Sequence, residues 1–233
     1  MTTIQANLQL VRDRMARACD RSGRDVNEVT LLAVSKTFGP QAVAEALSAG
    51  QQAFGENYVQ EGVEKVLAVR DLLPAGSVAP VWHCIGPLQS NKTRLVASHF
   101  DWVQSVDRLK IAQRLGEQRS TGLAPLQVCI QVNVDGGASK SGVSPEELPA
   151  LADAVAALPG LRLRGLMSIP DPVDGFEAQR AVFLRVRDLY EMLRARGHLL
   201  DTLSMGMSED LEPAIAAGAK MVRVGRAIFG NRG

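Results

Sequence analysis

The stretch "TLLAVSKTFG", Thr30 to Gly39, places a lysine at the end of an apolar run. Residues 31–35 have the composition of a buried strand, and Lys36 follows immediately, before a turn. Most lysines lie on wet surfaces, so one interpretation is a solvated side chain just beyond a strand. The other is an amine nucleophile, because a desolvated lysine can lose its charge and attack a carbonyl carbon. This stretch alone leaves both interpretations open.

The composition is that of an ordinary globular protein. Of the 233 residues, 46% are hydrophobic and 22% are charged, which is enough apolar material to bury a substantial core. The 26 basic and 25 acidic residues are mixed along the chain and leave a net charge of +1. Nucleic-acid binding needs a clustered basic surface, so we expect no nucleic-acid partner.

Cysteine and histidine spacing argues against a metal centre. The three cysteines and three histidines are Cys19, Cys84, Cys129, His83, His99 and His198. None of them forms a CxxC pair or a ligand pattern, so we predict no metal and no disulfide framework. Charged residues interrupt 3–22, and no apolar run approaches the length of a membrane span. We therefore expect a cytoplasmic protein with free thiols and no membrane association.

Strand-like and helix-like segments alternate along the chain. The predicted strands are 31–35, 52–55, 81–85, 101–105, 126–134, 162–168, 201–205 and 220–224. The predicted helices that follow them are 41–49, 57–70, 91–98, 107–119, 145–157, 176–196 and 209–217. One more helix, over 3–22, precedes the first strand, because its apolar residues recur on one helical face.

This alternation predicts an α/β fold with a parallel sheet. Eight units in a chain of this length favour a single (β/α)8 TIM-type barrel with an additional N-terminal helix, one domain over 1–233. A doubly wound open sheet is the alternative, although it would normally have fewer strands or a second domain at this length. In a barrel, functional groups lie at the carboxyl ends of strands, where Lys36 is predicted.

Other polar residues are predicted at the ends of the second, third and fifth strands. "FGENYVQE" places Asn57 at the second, and "WHCIGPLQSNK" follows the third. Three interpretations of His83, in the third strand, are open: it points into the barrel, it stacks on a ligand, or it is a packed core histidine. "VNVDGGASKSG" after the fifth strand carries Lys140, in a composition that is often a simple connector.

The last two strand ends have the composition of an anion site. "LSMGMSED" places Ser204 and Ser208 around a glycine, with Ser208 where the next helix should begin. "VRVGRAIFG" places Arg223 within the eighth strand and Gly225 at its end. Barrels commonly bind phosphate with these two loops, through free backbone N–H groups and a helix N-terminus. Alternatively, Ser208 is only a helix cap and Gly225 only a turn.

In a closed barrel, the first and eighth strands are neighbours. An amine nucleophile would then lie beside a phosphate site, with Arg223 between them. A phosphorylated aldehyde is the simplest ligand that satisfies all three groups. Two candidates remain at this point: pyridoxal phosphate as a cofactor, or a sugar-phosphate substrate of a cofactor-free Schiff-base aldolase.

The chain also resembles the pyridoxal phosphate homeostasis proteins, which are related to the barrel domain of alanine racemase. The resemblance runs from about Leu31 to Gly230 in family order. The matching segments are "AVSKT", "FGENYVQE", "WHCIGPLQSNK", "SVDRLKIA", "VNVDGGASKSG", "GLMSI" and "LSMGMSEDLEPAIAAGAKMVRVGRAIFG". Several long matches in order are far more specific than one short motif.

The resemblance implies a fold type III site for pyridoxal 5'-phosphate (PLP). Lys36 would carry the cofactor as an internal aldimine, and Arg223 would face the pyridine nitrogen. The resemblance further implies that Ser208, Gly225 and Arg226 hold the phosphate, the last two mainly through backbone amides. It also implies that Asn57 and Ser204 are pocket residues. Phe38 stands where many relatives have a second lysine, and Gly137 replaces an acidic residue common in the family.

The same residues predict little catalytic turnover. An arginine at the pyridine nitrogen can only donate, so the nitrogen stays unprotonated and carbanions are weakly stabilised. The sequence given ends at Gly233, so we expect no counterpart of the racemase C-terminal domain, which supplies a second base. The tyrosines, Tyr58 and Tyr190, fall in predicted helices.

We therefore predict a monomeric, non-enzymatic PLP carrier that binds and protects the cofactor in PLP homeostasis. Apo PLP-dependent enzymes would be the recipients. The alternatives are a PLP-dependent amino-acid racemase or decarboxylase whose partner supplies the second base, and the cofactor-free aldolase.

Overall fold

The computed structural model describes residues 2–74, 76–136 and 141–230. Eight parallel strands close into a barrel in sequence order. They are β1 (Thr30–Val34), β2 (Ala53–Glu56), β3 (Val81–Cys84), β4 (Trp102–Val106), β5 (Leu126–Gln131), β6 (Leu161–Met167), β7 (Thr202–Ser204) and β8 (Met221–Val224). Closure through β1 and β8 confirms the predicted barrel and excludes the open sheet.

Helices cover the outside of the barrel. They are α1 (Thr3–Arg21), α2 (Pro40–Ser48), α3 (Val59–Leu72), α4 (Thr93–His99), α5 (Leu109–Gln118), α6 (Leu148–Ala156), α7 (Phe176–Ala195), α8 (Leu211–Ala216) and α9 (Arg226–Phe229). The predicted N-terminal helix is α1. None of the helices in the described ranges is both long and apolar enough to cross a bilayer.

The strand sequences are continuous apolar runs because both faces of each strand are covered by other side chains. The outward face packs against the helices in one large core. The inward face forms a smaller cluster that includes Leu32, Val34, Ile85 and Met221. Successive strand residues alternate between the faces, so Lys36, two positions after Val34, continues the inward series at the mouth of the barrel.

The extra helix α1 braces the end of the barrel where the chain closes. Its buried face packs on the core through residues that include Leu8, Val11 and Met15. From the same helix, the Asn7 amide donates to the Ile228 carbonyl in α9 at 3.0 Å. Arg14 donates to the Ser208 carbonyl at 2.5 Å and pairs with Glu212. Thus α1 holds the two loops that follow β7 and β8.

The structure corrects the predicted start of α8. Ser208 is not the N-cap of that helix: residues 208–210 form a turn, Asp210 occupies the N-cap position, and the helix begins at Leu211. The Asp210 carboxylate accepts from the Met207 N–H at 2.5 Å and closes this turn before the helix begins. Tyr58 likewise occupies the N-cap position of α3 and is not inside the helix.

Gly86, in the turn after β3, lies so close to the backbone at the end of β2 that no side chain fits there. A methyl group at this position would overlap the carbonyl group of Asn57, at the end of β2. We predict that Gly86→Ala lowers the free energy of unfolding by about 1–3 kcal/mol, because one of the two backbones must move. Urea unfolding measures the change.

Gly122→Ala is the matched control, since its nearest neighbour would be a serine hydroxyl 3.9 Å away. That variant should stay within about 0.5 kcal/mol of the parent protein. Equal effects of the two substitutions would contradict the close approach of the β2 and β3 ends.

Candidate functional site

A cavity of about 690 Å³ opens at the carboxyl ends of the strands. Residues that follow β1, β2, β3, β6, β7 and β8 contribute to its wall. Six of the seven residues predicted for the site line it: Lys36, Asn57, Ser208, Arg223, Gly225 and Arg226. The barrel therefore gathers side chains that are up to 190 positions apart in the sequence, the interval from Lys36 to Arg226.

The lysine lies beside the end of the last strand because β1 and β8 pair directly. Their register joins Leu32 to Arg223 and Ala33 to Val224. Gly225 continues this close approach, since a Cβ atom there would lie 3.1 Å from the Val34 carbonyl oxygen. The half-buried Lys36 and the start of α9 are therefore held on adjacent strand ends.

Arg223 is the buried cation of the site. Its guanidinium donates to the Ser204 hydroxyl and to the Ser168 carbonyl, each at 2.8 Å. Burial lowers the pKa of Arg223 to about 10, so the group remains protonated at neutral pH. Its other N–H groups are available to the cavity that the residue lines, and it can only donate.

Ser204 does not line the cavity, in contrast to its predicted place as a pocket residue. It lies beneath Arg223 and is fully buried. Its hydroxyl accepts from Arg223 and donates to the side-chain oxygen Oε1 of Gln104 at 2.7 Å. The serine side chain therefore contacts Arg223 and not the cavity itself, because it lies deeper in the barrel than the arginine.

Gln104 is a residue that the sequence interpretation missed. Its amide nitrogen lies 2.9 Å from His83 Nδ1, so the chain of contacts runs from His83 through Gln104 and Ser204 to Arg223. All four side chains are buried. The one available signal was a glutamine inside the apolar stretch "WVQSV" of β4. Such a residue needs a polar partner within the barrel.

His83 belongs to the floor of the barrel and does not line the cavity. Because the Gln104 amide nitrogen donates, Nδ1 accepts and the proton resides on Nε2. Burial lowers the pKa of His83 to about 3, so the imidazole is neutral. The ring stacks on Trp102 with centroids 5.0 Å apart. His83 therefore points into the barrel as a packed core histidine, and it has no contact with the cavity in which a ligand could stack on it.

The loops after β7 and β8 meet at one side of the cavity. Ser208 and Gly225 line it there, and Gly225 is the N-cap of α9. The first N–H groups of a helix have no acceptor within that helix, so these can face a ligand. The Arg226 side chain pairs with Glu209 at 2.9 Å, which offsets part of the carboxylate's repulsion toward an anion.

Phe38 does not line the cavity either. It stacks on Phe229 of α9, with ring centroids 5.2 Å apart, and is half-buried. Phe38 therefore forms an apolar contact between the β1 loop and α9. Gly137 and Lys140 lie outside the described residues.

A second, larger groove of about 800 Å³ lies between α1, α7 and α8. It is lined by surface residues such as Arg21, Arg180 and Glu212, and by none of the seven predicted site residues. Glu209, the ion-pair partner of Arg226, lines both this groove and the cavity. Within the described ranges, no cluster of three or more His, Cys, Asp or Glu side chains could hold a metal ion. The cavity at the strand ends is the candidate site.

Residues 2–233 match the family model for the alanine racemase N-terminal domain. The chain is 57% identical to the pyridoxal phosphate homeostasis protein of Pseudomonas aeruginosa, over all of this chain and 97% of that protein. It is 53% identical to the protein of that name from Escherichia coli K12, over all of this chain and 98% of the relative.

The chain belongs to the alanine racemase N-terminal domain family, among the pyridoxal phosphate homeostasis proteins. Among solved structures, PipY of Synechococcus elongatus with PLP bound superposes with a TM-score of 0.82 at 34% identity. That match covers 97% of this chain and all of PipY.

The buried, neutral His83 predicts a pH dependence of stability. The folded protein keeps this imidazole unprotonated down to about pH 3, whereas the unfolded chain protonates it below about 6.5. The unfolded state then binds more protons, so the free energy of unfolding falls as the pH drops through this window. We expect His83→Asn, which keeps an acceptor for Gln104, to remove roughly 1 kcal/mol per pH unit of this slope.

Urea unfolding of both proteins between about pH 6 and pH 4 measures the difference in slope. An NMR titration of the parent protein in which His83 protonates with a midpoint near 6.5 would contradict its buried, neutral state.

Proposed function

We propose that this chain binds pyridoxal 5'-phosphate covalently at Lys36 and holds it for transfer, as part of intracellular PLP homeostasis. The observation that carries the proposal is one cavity that brings together an inward-facing lysine, a buried arginine and the two loops after β7 and β8. Each group matches one part of a phosphorylated pyridine aldehyde. The names of the relatives and the PLP-bound PipY structure support the same ligand.

The residues fit the cofactor in chemical character. We infer that the Ser208 hydroxyl and the backbone N–H groups of Gly225 and Arg226 hold the phosphate, because free N–H groups at a helix start favour an anion. Arg223 would donate to the pyridine nitrogen from the cavity wall. Asn57, at the end of β2, also lines the cavity.

Lys36 supplies the covalent step. Its amine condenses with an aldehyde and releases one water molecule, and hydrolysis returns both partners. PLP supplies the aldehyde and, in enzymes, an electron sink for carbanions. A reversible bond of this kind keeps the aldehyde masked and still exchangeable, which suits a carrier.

Two features support a carrier with little turnover. Arg223 cannot protonate the pyridine nitrogen, because a guanidinium with a pKa of about 10 only donates a hydrogen bond at neutral pH. In addition, neither tyrosine lines the cavity. The Tyr190 hydroxyl is buried against the Leu200 carbonyl at 2.9 Å, and burial raises the pKa of Tyr190 to about 12. Within the described ranges, neither tyrosine is therefore positioned to act as a second base of the racemase type at this cavity.

The recipients that we propose are apo PLP-dependent enzymes of the same compartment, the cytoplasm, served by a monomeric carrier. Transfer is testable directly. The loaded protein should restore the activity of an apo PLP-dependent enzyme as the visible absorbance of the carrier declines.

Lys36→Ala tests the covalent site. We predict that the variant folds normally but fails to attach PLP, since the alanine has no amine. The measurement is borohydride reduction of the loaded protein, followed by peptide mapping of the label. Lys110→Ala, which removes an exposed lysine of α5, is the matched control and should label like the parent protein.

Three results would overturn the proposal. One is a label on another lysine of the parent protein. Another is a protein that cleaves sugar phosphates without the cofactor, which would support an aldolase. The last is racemisation of free alanine that disappears in Lys36→Ala, which would identify an enzyme.

A further inference from the structure

A buried ionic cluster lies directly behind the end of β1. Lys65 of α3 places its amine 2.7 Å from the Glu56 carboxylate and 3.0 Å from the Glu61 carboxylate. The side chains of Lys65 and Glu56 are 3% and 0% exposed. The Glu61–Lys65 spacing in the sequence is that of an ordinary surface pair on one helix, and nothing in the sequence predicts its burial.

The cluster is bonded to the backbone on both sides of Lys36. On one side, Lys65 donates to the Ser35 carbonyl at 2.7 Å, and the Ser35 hydroxyl donates to Glu56 at 2.6 Å. On the other side, the Thr37 N–H donates to Glu61 at 2.5 Å. Lys36 therefore lies between two residues that are fixed by the same three charged side chains.

Thr37 gives a second, independent reason to regard this segment as constrained. Its φ is +69°, and it is the one non-glycine residue with a positive φ in the described ranges. A threonine is unfavourable in this left-handed region, so another interaction must compensate for the conformation. The hydrogen bond from the Thr37 N–H to Glu61 is such an interaction.

Stability alone does not account for the cluster. Burial raises the pKa of the Glu56 carboxyl, against the opposing effect of Lys65. One Glu56 oxygen, Oε2, has no partner among the described residues. Packed apolar side chains would avoid the cost of desolvating these charges. Apolar side chains, however, cannot bond to the Ser35 carbonyl or the Thr37 N–H.

We propose that Glu61 and Lys65 are positioning residues that fix the backbone on both sides of Lys36 and so direct its amine into the cavity. The effect of this positioning on aldehyde capture rests on the proposed function. The fixing of the backbone does not, because it can be measured in the protein without cofactor.

Glu61→Ala tests the proposal with the least risk to folding, because Glu61 is the partly exposed member of the cluster. Without cofactor, we expect amide hydrogen exchange at Thr37 to rise about tenfold, the effect of losing one charged hydrogen bond. With PLP, we expect the equilibrium for covalent attachment at Lys36 to fall about tenfold for the same reason. Affinity for pyridoxine phosphate, which lacks the aldehyde, should change less than about twofold, since the phosphate loops are untouched.

Two variants on the same helix serve as controls. Glu61→Gln keeps an oxygen that can accept from Thr37, so it should restore most of the attachment. Glu64→Ala removes an identical side chain from the exposed face of α3 and should behave like the parent protein. If Glu61→Ala fails to fold, the double variant Glu56→Gln with Lys65→Met removes the two buried charges together and leaves only the partly exposed Glu61 carboxylate. This variant loses the bond from Lys65 to the Ser35 carbonyl, so covalent attachment at Lys36 should fall while pyridoxine phosphate binding is kept.

The proposal is overturned if Thr37 exchange and attachment are unchanged in the tested variant. It is also overturned if pyridoxine phosphate binding falls as much as attachment does, because that result indicates a general loss of structure. A parent protein that never attaches PLP at Lys36 would instead refute the proposed function, while the exchange measurement without cofactor would still decide the positioning role.

Discussion

The pairing of β1 with β8 is the constraint on which the site depends. It closes the barrel and, through the same backbone hydrogen bonds, sets Lys36 next to the loop that begins α9. Gly225 permits the approach, because a side chain there would press on the Val34 carbonyl. Without this pairing, Lys36 and the loop that begins α9 would lie near opposite ends of the chain and have no fixed position relative to each other.

Three sets of contacts then hold the groups that meet at the cavity. Beneath it, the neutral side chains of His83, Gln104 and Ser204 form the buried series that holds the Arg223 guanidinium. From outside, α1 fixes the two loops after β7 and β8 through Asn7 and Arg14. Behind β1, the charged cluster of α3 fixes the segment that carries the lysine. Under the proposed function, Lys36 is the reactive group and Arg223 is a hydrogen-bond donor to the pyridine nitrogen where carbanion-forming enzymes have an acid. We propose that such a site favours reversible capture of the aldehyde over carbanion chemistry.

The sequence predicts the barrel and six residues of the cavity wall, and the barrel follows from local patterns. Alternating segments give the fold, and strand ends give Lys36, Asn57 and Gly225 a common edge. Local patterns give wrong or missing predictions where tertiary contacts determine the position of a residue. Ser208 resembles a helix cap, but the bond between Asp210 and Met207 delays the helix. Gln104 and Lys65 were missed because their burial depends on partners 100 and 30 positions away, Ser204 and Ser35.

A crystal structure of the protein grown with PLP tests the central claim most directly. The account predicts continuous density from Lys36 Nζ to the cofactor, phosphate oxygens within hydrogen-bond distance of the Gly225 and Arg226 N–H groups, and Arg223 at the pyridine nitrogen. Cofactor density on another lysine, or a phosphate bound away from the loops after β7 and β8, would contradict it.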